Sequence, residues 1–124
     1  MSIEQVTIAL ARMALDAGQM RQTAIASNIA NVNNPSYVPL SVSFEDQLDA
    51  ARRTLQAGGP IQGASLDGVR AQWLSVPGGN EGQGVQLDSE LAAMSANSLQ
   101  FQTLIRGVAK HYALLQIAFT EGKK

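Results

Sequence analysis

The residues best suited to catalysis in this chain are one histidine and a pair of aspartates. His111 is the only histidine, and the chain has no cysteine, so a metal site would lack its usual nitrogen and sulfur ligands. Asp46 and Asp49 have a spacing that brings two carboxylates to one face of a helix. However, Arg52 and Arg53 follow these carboxylates. Acidic residues at the start of a helix and basic residues near its end complement the helix dipole and are common in solvent-exposed helices. We therefore predict no catalytic residue, no metal and no cofactor.

A glycine-rich stretch, PGGNEGQG at residues 77–84, is the other candidate for ligand chemistry. A phosphate-binding loop requires a lysine near its end and a preceding strand–helix–strand unit, and neither is present. A flexible turn is the better interpretation. The stretch belongs to a middle region, residues 58–84, that holds eight of the eleven glycines and is predicted to be loop.

Charge and hydropathy argue against several classes of partner. The formal net charge is −1, with acidic and basic residues interspersed, so the chain has no footprint for nucleic acid. No stretch reaches the ~18 to 20 apolar residues of a membrane span. Glu4, Arg12 and Asp16 interrupt the N-terminal stretch, which argues against a cleaved signal peptide. We therefore predict no nucleic-acid binding and no direct membrane insertion, and we expect any export to use a route without a cleaved signal.

Two long helical patterns flank the middle region. In the first, apolar residues alternate at spacings of three and four, which is the seam of a coiled coil. Its members are Ile3, Val6, Leu10, Met13, Ala17, Met20 and Ala24. A second apolar stripe, with Ile8, Leu15 and Ile29, lies on another side of the same helix. A helix that is apolar on two sides needs more than one packing partner.

The second pattern keeps the same rhythm over a longer span, and Asp88 is placed to cap its first turn. The members of this seam are Leu87, Leu91, Met94, Ser98, Phe101, Ile105, Val108, Tyr112, Leu115 and Phe119. Further apolar residues lie off the seam, namely Leu99, Leu104, Leu114 and Ile117. One neighbouring helix cannot cover so much apolar surface, so we expect the surplus stripes to pack against other molecules.

Gly18 and Gly107 each interrupt a helical pattern, where glycine costs ~1 kcal/mol relative to alanine. If the two helices pair antiparallel, with Ile3 opposite Phe119, the two glycines fall within about one turn of each other. They then either allow a close backbone approach at one level of the hairpin or are tolerated on the surface. The sequence leaves these two interpretations open.

The patterns predict a mainly α fold, in which two long antiparallel terminal helices form a coiled-coil-like hairpin around a loop-rich middle. In the middle, Leu40, Val42 and Phe44 alternate with serines, the period of a half-buried strand. FEDQLDAARRTLQ predicts a short amphipathic helix, and a second short strand is expected around residues 69–76. The predicted regions are the N-terminal helix (1–33), the central turn, strand, helix and loop (34–86), and the C-terminal helix (87–124).

Between the first helix and the first strand, ASNIANVNNPSY at residues 26–37 concentrates asparagines that are poor in a helix interior but suit its end. Asn28 and Asn31 place two amides about one turn apart. Asn33 suits the left-handed turn that closes a helix, and Asn34 must be extended because Pro35 follows it. This corner is predicted to stop the helix and redirect the chain.

The corner resembles a signature near the N-terminus of flagellar axial proteins, the rod and hook family, in which N-N-I-A-N is followed by a short spacer and T-P-G-Y. The matching residues are Asn28, Ile29, Ala30, Asn31, Pro35 and Tyr37, while Ser27, Asn34 and Ser36 replace the usual Asn, Thr and Gly. SVSFEDQL at residues 41–48 looks like the D-F-E segment of the proximal rod branch of this family. Residues 85–119 are similar to its V-D-L-D-x-E-M and N-x-L-x-Y-Q stretches and closing helix.

The resemblance implies a non-enzymatic structural subunit of the bacterial flagellar basal body that transmits torque and supports motility. Such a protein is exported unfolded by the flagellar type III apparatus and assembles helically as a rod in the periplasm, its terminal helices lining the export channel. The implied partners are copies of itself, other flagellar rod proteins, and motor-ring or export-gate adaptor proteins at the rod base.

Two alternatives remain at this point. A needle or inner-rod subunit of a related type III secretion system has the same two-helix pattern, but a bare helical hairpin does not need residues 34–48. A small helical enzyme would have to use His111 or the Asp46 and Asp49 pair. For the structural subunit, the residues predicted to form subunit interfaces are Leu10, Met13, Met20, Asn28, Ile29, Asn31, Pro35, Tyr37, Phe101, Ile105, Val108, Tyr112, Leu115 and Phe119.

Overall fold

The computed structural model describes residues 3–57, 69–75 and 85–122. The predicted mainly α fold is confirmed, since two long terminal helices flank a short helix and two short strands in the sequence. In chain order the elements are α1 (Ile3–Ala30), β1 (Leu40–Ser43), α2 (Glu45–Gln56), β2 (Gln72–Ser75) and α3 (Leu87–Glu121). The flexible turn predicted at residues 77–84 lies outside the described residues.

The helices α1 and α3 pack side by side and run antiparallel, as predicted. Near the end of α1, Gln22 accepts a hydrogen bond from Asn97 in the first half of α3. Near the start of α1, Ile8 lines the same groove as His111, which lies towards the end of α3. The terminal helices therefore form a hairpin whose register is within one turn of the pairing expected from the sequence.

The seam that α3 turns towards α1 is only partly the predicted one. Covered positions recur along α3 at alternating spacings of three and four, but three of the seven come from another row of residues. The covered positions are Met94, Asn97, Phe101, Leu104, Val108, His111 and Leu115. The predicted row of Leu91, Ser98, Ile105, Tyr112 and Phe119 is exposed. The row with Asn97 faces α1 because its amide finds partners there.

The other side of α1 packs against the middle of the chain. Ala17 of α1 is buried in a small core with Phe44 and Val69. Met13 packs against this core, together with Val42 of β1. Met13 and Ala17 belong to the predicted seam of α1, which therefore faces the middle of the chain, whereas Ile8 and Leu15 of the second stripe line the groove with α3. The expectation that the surplus stripe of α1 needs another molecule is wrong at these positions, because both sides have partners in the same chain. The apolar row left exposed lies on α3.

The two strands form a small antiparallel sheet that holds the middle in place. Leu40 pairs with Ser75, and Ser43 pairs with Gln72. The predicted strand around residues 69–76 is therefore confirmed over a shorter span, preceded by the buried Val69. A salt bridge between Arg21 and Glu45 links α1 to the start of α2.

The start of α3 is not capped as predicted. Its N-cap residue is Gln86, which has an extended backbone and no side-chain capping hydrogen bond. Asp88 lies inside the first turn, where its negative charge still complements the helix dipole. Among the described residues, no helix is long and apolar enough to cross a bilayer.

The two helical glycines differ in their surroundings. A Cβ atom added to Gly18 would lie 2.9 Å from the ring atom Cδ2 of Phe101, so the glycine makes room for this ring. A Cβ added to Gly107 would meet nothing within 4 Å. The close approach is therefore confirmed at Gly18, whereas in the single chain Gly107 faces open space.

The same substitution should have opposite effects at the two glycines. Gly18→Leu should lower the free energy of unfolding by about 1 to 3 kcal/mol, because the Phe101 ring must move. Gly107→Leu should leave it unchanged or raise it by up to ~1 kcal/mol, because leucine is the better helix former. Urea unfolding of the dilute chain, followed by circular dichroism, measures both. Equal destabilisation at the two positions would contradict the observed packing.

Candidate assembly surface

Asn28 is the centre of the corner that ends α1. Its side chain is buried, and its amide group donates to the carbonyl oxygen of Leu40 at 2.9 Å. Its oxygen accepts from the backbone N–H of Leu40 at 2.9 Å and from the hydroxyl of Tyr37 at 2.8 Å. One helix side chain therefore pairs with both backbone groups of the first residue of β1, much as a neighbouring strand would.

Four further residues of the corner add hydrogen bonds around Asn28 and Tyr37. Because the single proton of Tyr37 goes to Asn28, its oxygen accepts from the hydroxyl of Ser27 at 2.9 Å. The amide of Asn31 donates to the carbonyl oxygen of Ser27 at 2.8 Å, which satisfies a group at the helix end. Beyond the helix, the side-chain oxygen of Asn34 accepts from the hydroxyl of Ser36. The motif residues thus hold the chain between α1 and β1 in one conformation.

A second buried amide lies between the two long helices. Asn97 donates to the carbonyl oxygen of Gly18 at 3.1 Å and to the side-chain oxygen of Gln22 at 3.0 Å. Sequence reasoning missed this contact. The signal was present, since Gln22 interrupts the second apolar stripe of α1 and Asn97 lies between two seam residues of α3. Polar interruptions at matching levels of two paired helices indicate a hydrogen bond across the seam.

An exposed apolar row on α3 is the other main feature. Its large members recur with the heptad spacing, which keeps them on one side of a helix. They are Leu91, Ile105, Tyr112 and Phe119, with exposed fractions of 47, 46, 50 and 68%. Leu99, Leu114 and Ile117 of α3 are also exposed. Contiguous exposed apolar surface of this kind marks a site of protein–protein contact.

The predicted interface residues therefore fall into separate groups. Asn28, Asn31 and Tyr37 belong to the corner network, next to the exposed Pro35. The exposed row contains Ile105, Tyr112 and Phe119. The others are half-buried within the chain, namely Leu10, Met13, Met20, Ile29, Phe101, Val108 and Leu115. Their packing within the chain leaves part of each side chain at the surface.

The residues considered for catalysis do not form one site. His111 lies in the groove between α1 and α3, whereas Asp46 and Asp49 lie on α2, where Asp49 forms a salt bridge with Arg53 at 3.3 Å. Within residues 3–57, 69–75 and 85–122, no three His, Cys, Asp or Glu side chains are arranged to hold a metal ion.

A long helical hairpin with exposed apolar surface is typical of a subunit that assembles with other chains. No protein-family model matches the chain. It is 26% identical to the flagellar basal body rod protein FlgB of Bacillus subtilis (strain 168), over 99% of this chain and all of that protein. It is 29% identical to the flagellar basal body rod protein FlgB of Borrelia hermsii, over 94% of this chain and 98% of that protein. These full-length similarities support the FlgB family of flagellar basal body rod proteins as the family of this chain.

Removing the corner amide should be costly. Asn28→Ala deprives Tyr37 and both backbone groups of Leu40 of a partner, so the free energy of unfolding should fall by about 2 to 4 kcal/mol. Gln19→Ala is the matched control on the same helix, because Gln19 is exposed and its replacement should change the free energy of unfolding by less than ~0.5 kcal/mol. Urea unfolding followed by the fluorescence of Trp73, the only tryptophan, reports on the sheet. Equal effects of the two variants would refute the role of the corner.

The amide between the helices should show energetic coupling. Asn97→Leu leaves Gln22 without its donor and should lower the free energy of unfolding by about 1 to 3 kcal/mol. Adding Gln22→Leu should recover most of that loss, because replacing both partners by apolar groups is nearly neutral. A double-mutant cycle measures the coupling, with Ser98→Leu as the exposed control on the same helix. Strict additivity would show that the hydrogen bond contributes nothing.

Proposed function

We propose that this chain is a structural subunit of the flagellar basal-body rod and that it assembles helically with copies of itself and other rod proteins. The observation that carries the proposal is its similarity, over nearly its whole length, to two flagellar basal body rod proteins. The exposed apolar row of α3 gives the physical reason for assembly. Its burial between subunits gains about 25 cal/mol for each Å² of apolar surface, and a single chain lacks this term.

We further propose that the corner network orients the hairpin within the rod. The hydrogen bonds from Asn28 fix the start of β1 relative to α1, so the middle of the chain packs against α1 in one orientation. A subunit that transmits torque needs this rigidity, because a flexible connection between the hairpin and the middle of the chain would deform under torque. The interface residues predicted above remain the candidates for contacts with neighbouring subunits.

Partners and location follow from the same proposal. We infer that the rod lies in the periplasm, that the chain reaches it through the flagellar type III apparatus without a cleaved signal, and that adaptor proteins of the motor ring or export gate contact its base. The two similar proteins are flagellar rod proteins, which favours this assignment over a needle subunit of another secretion system. Residues 34–48 also exceed what a bare needle hairpin requires, and here they form the corner and β1.

The same proposal makes the chain non-enzymatic. Its two named relatives are structural rod proteins, and His111 is separated in the fold from the carboxylates of α2. The groove around His111 is lined mainly by apolar side chains, which suits packing against another helix.

A charge in the exposed row should abolish assembly without unfolding the chain. Ile105→Asp places a carboxylate where a neighbouring subunit would bury it, while the 46% exposure of Ile105 lets the single chain tolerate it. Sedimentation of the purified chain over a range of concentrations should show association for the wild type and none for Ile105→Asp. Electron cryomicroscopy of basal bodies from cells with the variant should show no complete rod.

The control for this test is Ala96→Asp, a charge at another exposed position of the same helix. It should assemble as the wild type does, because Ala96 lies on the side of α3 away from the exposed row. Normal rods in cells that carry Ile105→Asp would refute the assigned interface. A wild-type chain that is compact and monomeric at high concentration would count against self-assembly itself.

A further inference from the structure

The groove between α1 and α3 near Gly107 has features that the single chain does not explain. It has a volume of about 410 Å³ and is lined by Ile8 and Leu15 of α1 and by Leu104 and Val108 of α3. Gly107 forms part of its wall, and a Cβ added there would meet nothing within 4 Å. A glycine in a helix interior is unfavourable unless a close approach requires it. Gly18 has such a reason inside the chain, and Gly107 does not.

The polar groups of the groove indicate what chemistry would fill it. Arg12 lines the groove, and the exposed Lys110 lies one turn along α3 from Gly107. Among the residues that the structure describes, no acidic side chain lines it. His111 also lines it, and its Nε2 atom is shielded from solvent without a hydrogen-bond partner in the described part of the chain. An apolar helix that carries acidic side chains would complement this groove.

The first turns of α3 have this combination of residues. Leu87 and Leu91 are exposed, and Asp88 and Glu90 make the first turn acidic. The exposed stripe of α1 cannot substitute, since it consists mainly of polar residues such as Asp16. Because a chain cannot bring the start of its own α3 to the far half of the same helix, this segment can reach the groove only from a second copy.

We propose that the start of α3 from one copy docks in the groove of the next copy, against Gly107. This inference rests on the proposed self-assembly and names its contact. Groove and docking segment lie about 25 to 30 Å apart along one helix, so one copy can dock into a second copy while a third copy docks into it. A contact made in this way with two different neighbours is heterologous, and its repetition produces an open helical array.

Filling the groove should block assembly without harming the fold. Gly107→Leu and the milder Gly107→Ala keep α3 helical, which circular dichroism of the dilute chain verifies. Sedimentation of the full-length chain should show an at least tenfold weaker association for Gly107→Leu and an intermediate loss for Gly107→Ala. Ala113→Leu, at an exposed position on another face of α3, is the matched control and should associate as the wild type does.

Charge reversal tests the occupant. Arg12→Glu and Asp88→Arg should each weaken association, and the double variant should recover most of it, because the two charges meet between copies. Glu121→Arg, at the other end of α3, should have no effect. If Glu121→Arg weakens association and Asp88→Arg does not, a different end of the helix occupies the groove and the inference is wrong.

The outcomes separate this inference from the function on which it rests. Association of the wild type and of Gly107→Leu with equal affinity would overturn the docking contact and leave the rod assignment standing. A wild type that stays monomeric at every concentration would overturn self-assembly, and the docking contact with it. Loss of association in Gly107→Leu with retention in Ala113→Leu would establish the groove as an interface.

Discussion

The two long helices approach closely at Gly18, and much of the remaining architecture depends on this contact. The Phe101 ring occupies the space where a side chain would stand, and Asn97 adds hydrogen bonds to the same turn of α1. Apolar seams alone tolerate a shift along the helix axis, whereas a ring over a glycine and a paired amide do not. The antiparallel register of the hairpin is therefore set by a few residues.

With α3 fixed on one side, α1 has another apolar side to cover. Phe44 and Val69 cover it around Ala17, and the corner at Asn28 makes this possible by returning the chain along the helix. The buried amide replaces a missing strand partner for Leu40. The middle of the chain is thus joined to α1 by both apolar packing and directional hydrogen bonds, which leave it little freedom to rotate.

No comparable cover exists for α3 among the described residues, and its apolar row remains at the surface. The same helix carries an open glycine at a groove and an acidic first turn at its other end. Complementary surfaces at separate positions allow a subunit to associate head to tail. The architecture of the single chain is consistent with a role in an extended rod.

The sequence by itself determined the two long helices, their antiparallel pairing, the strand pair and the corner, because periodicity and turn chemistry are local properties. It also contained the family signature around Asn28. Only the tertiary structure decided which row of α3 faces α1, since apolar period alone favoured the row of Ile105 over that of Asn97. The periodicity of α1 also did not identify which residues cover its other apolar side. Which surfaces come together depends on whether their buried polar groups find hydrogen-bond partners, and only three-dimensional contact decides that.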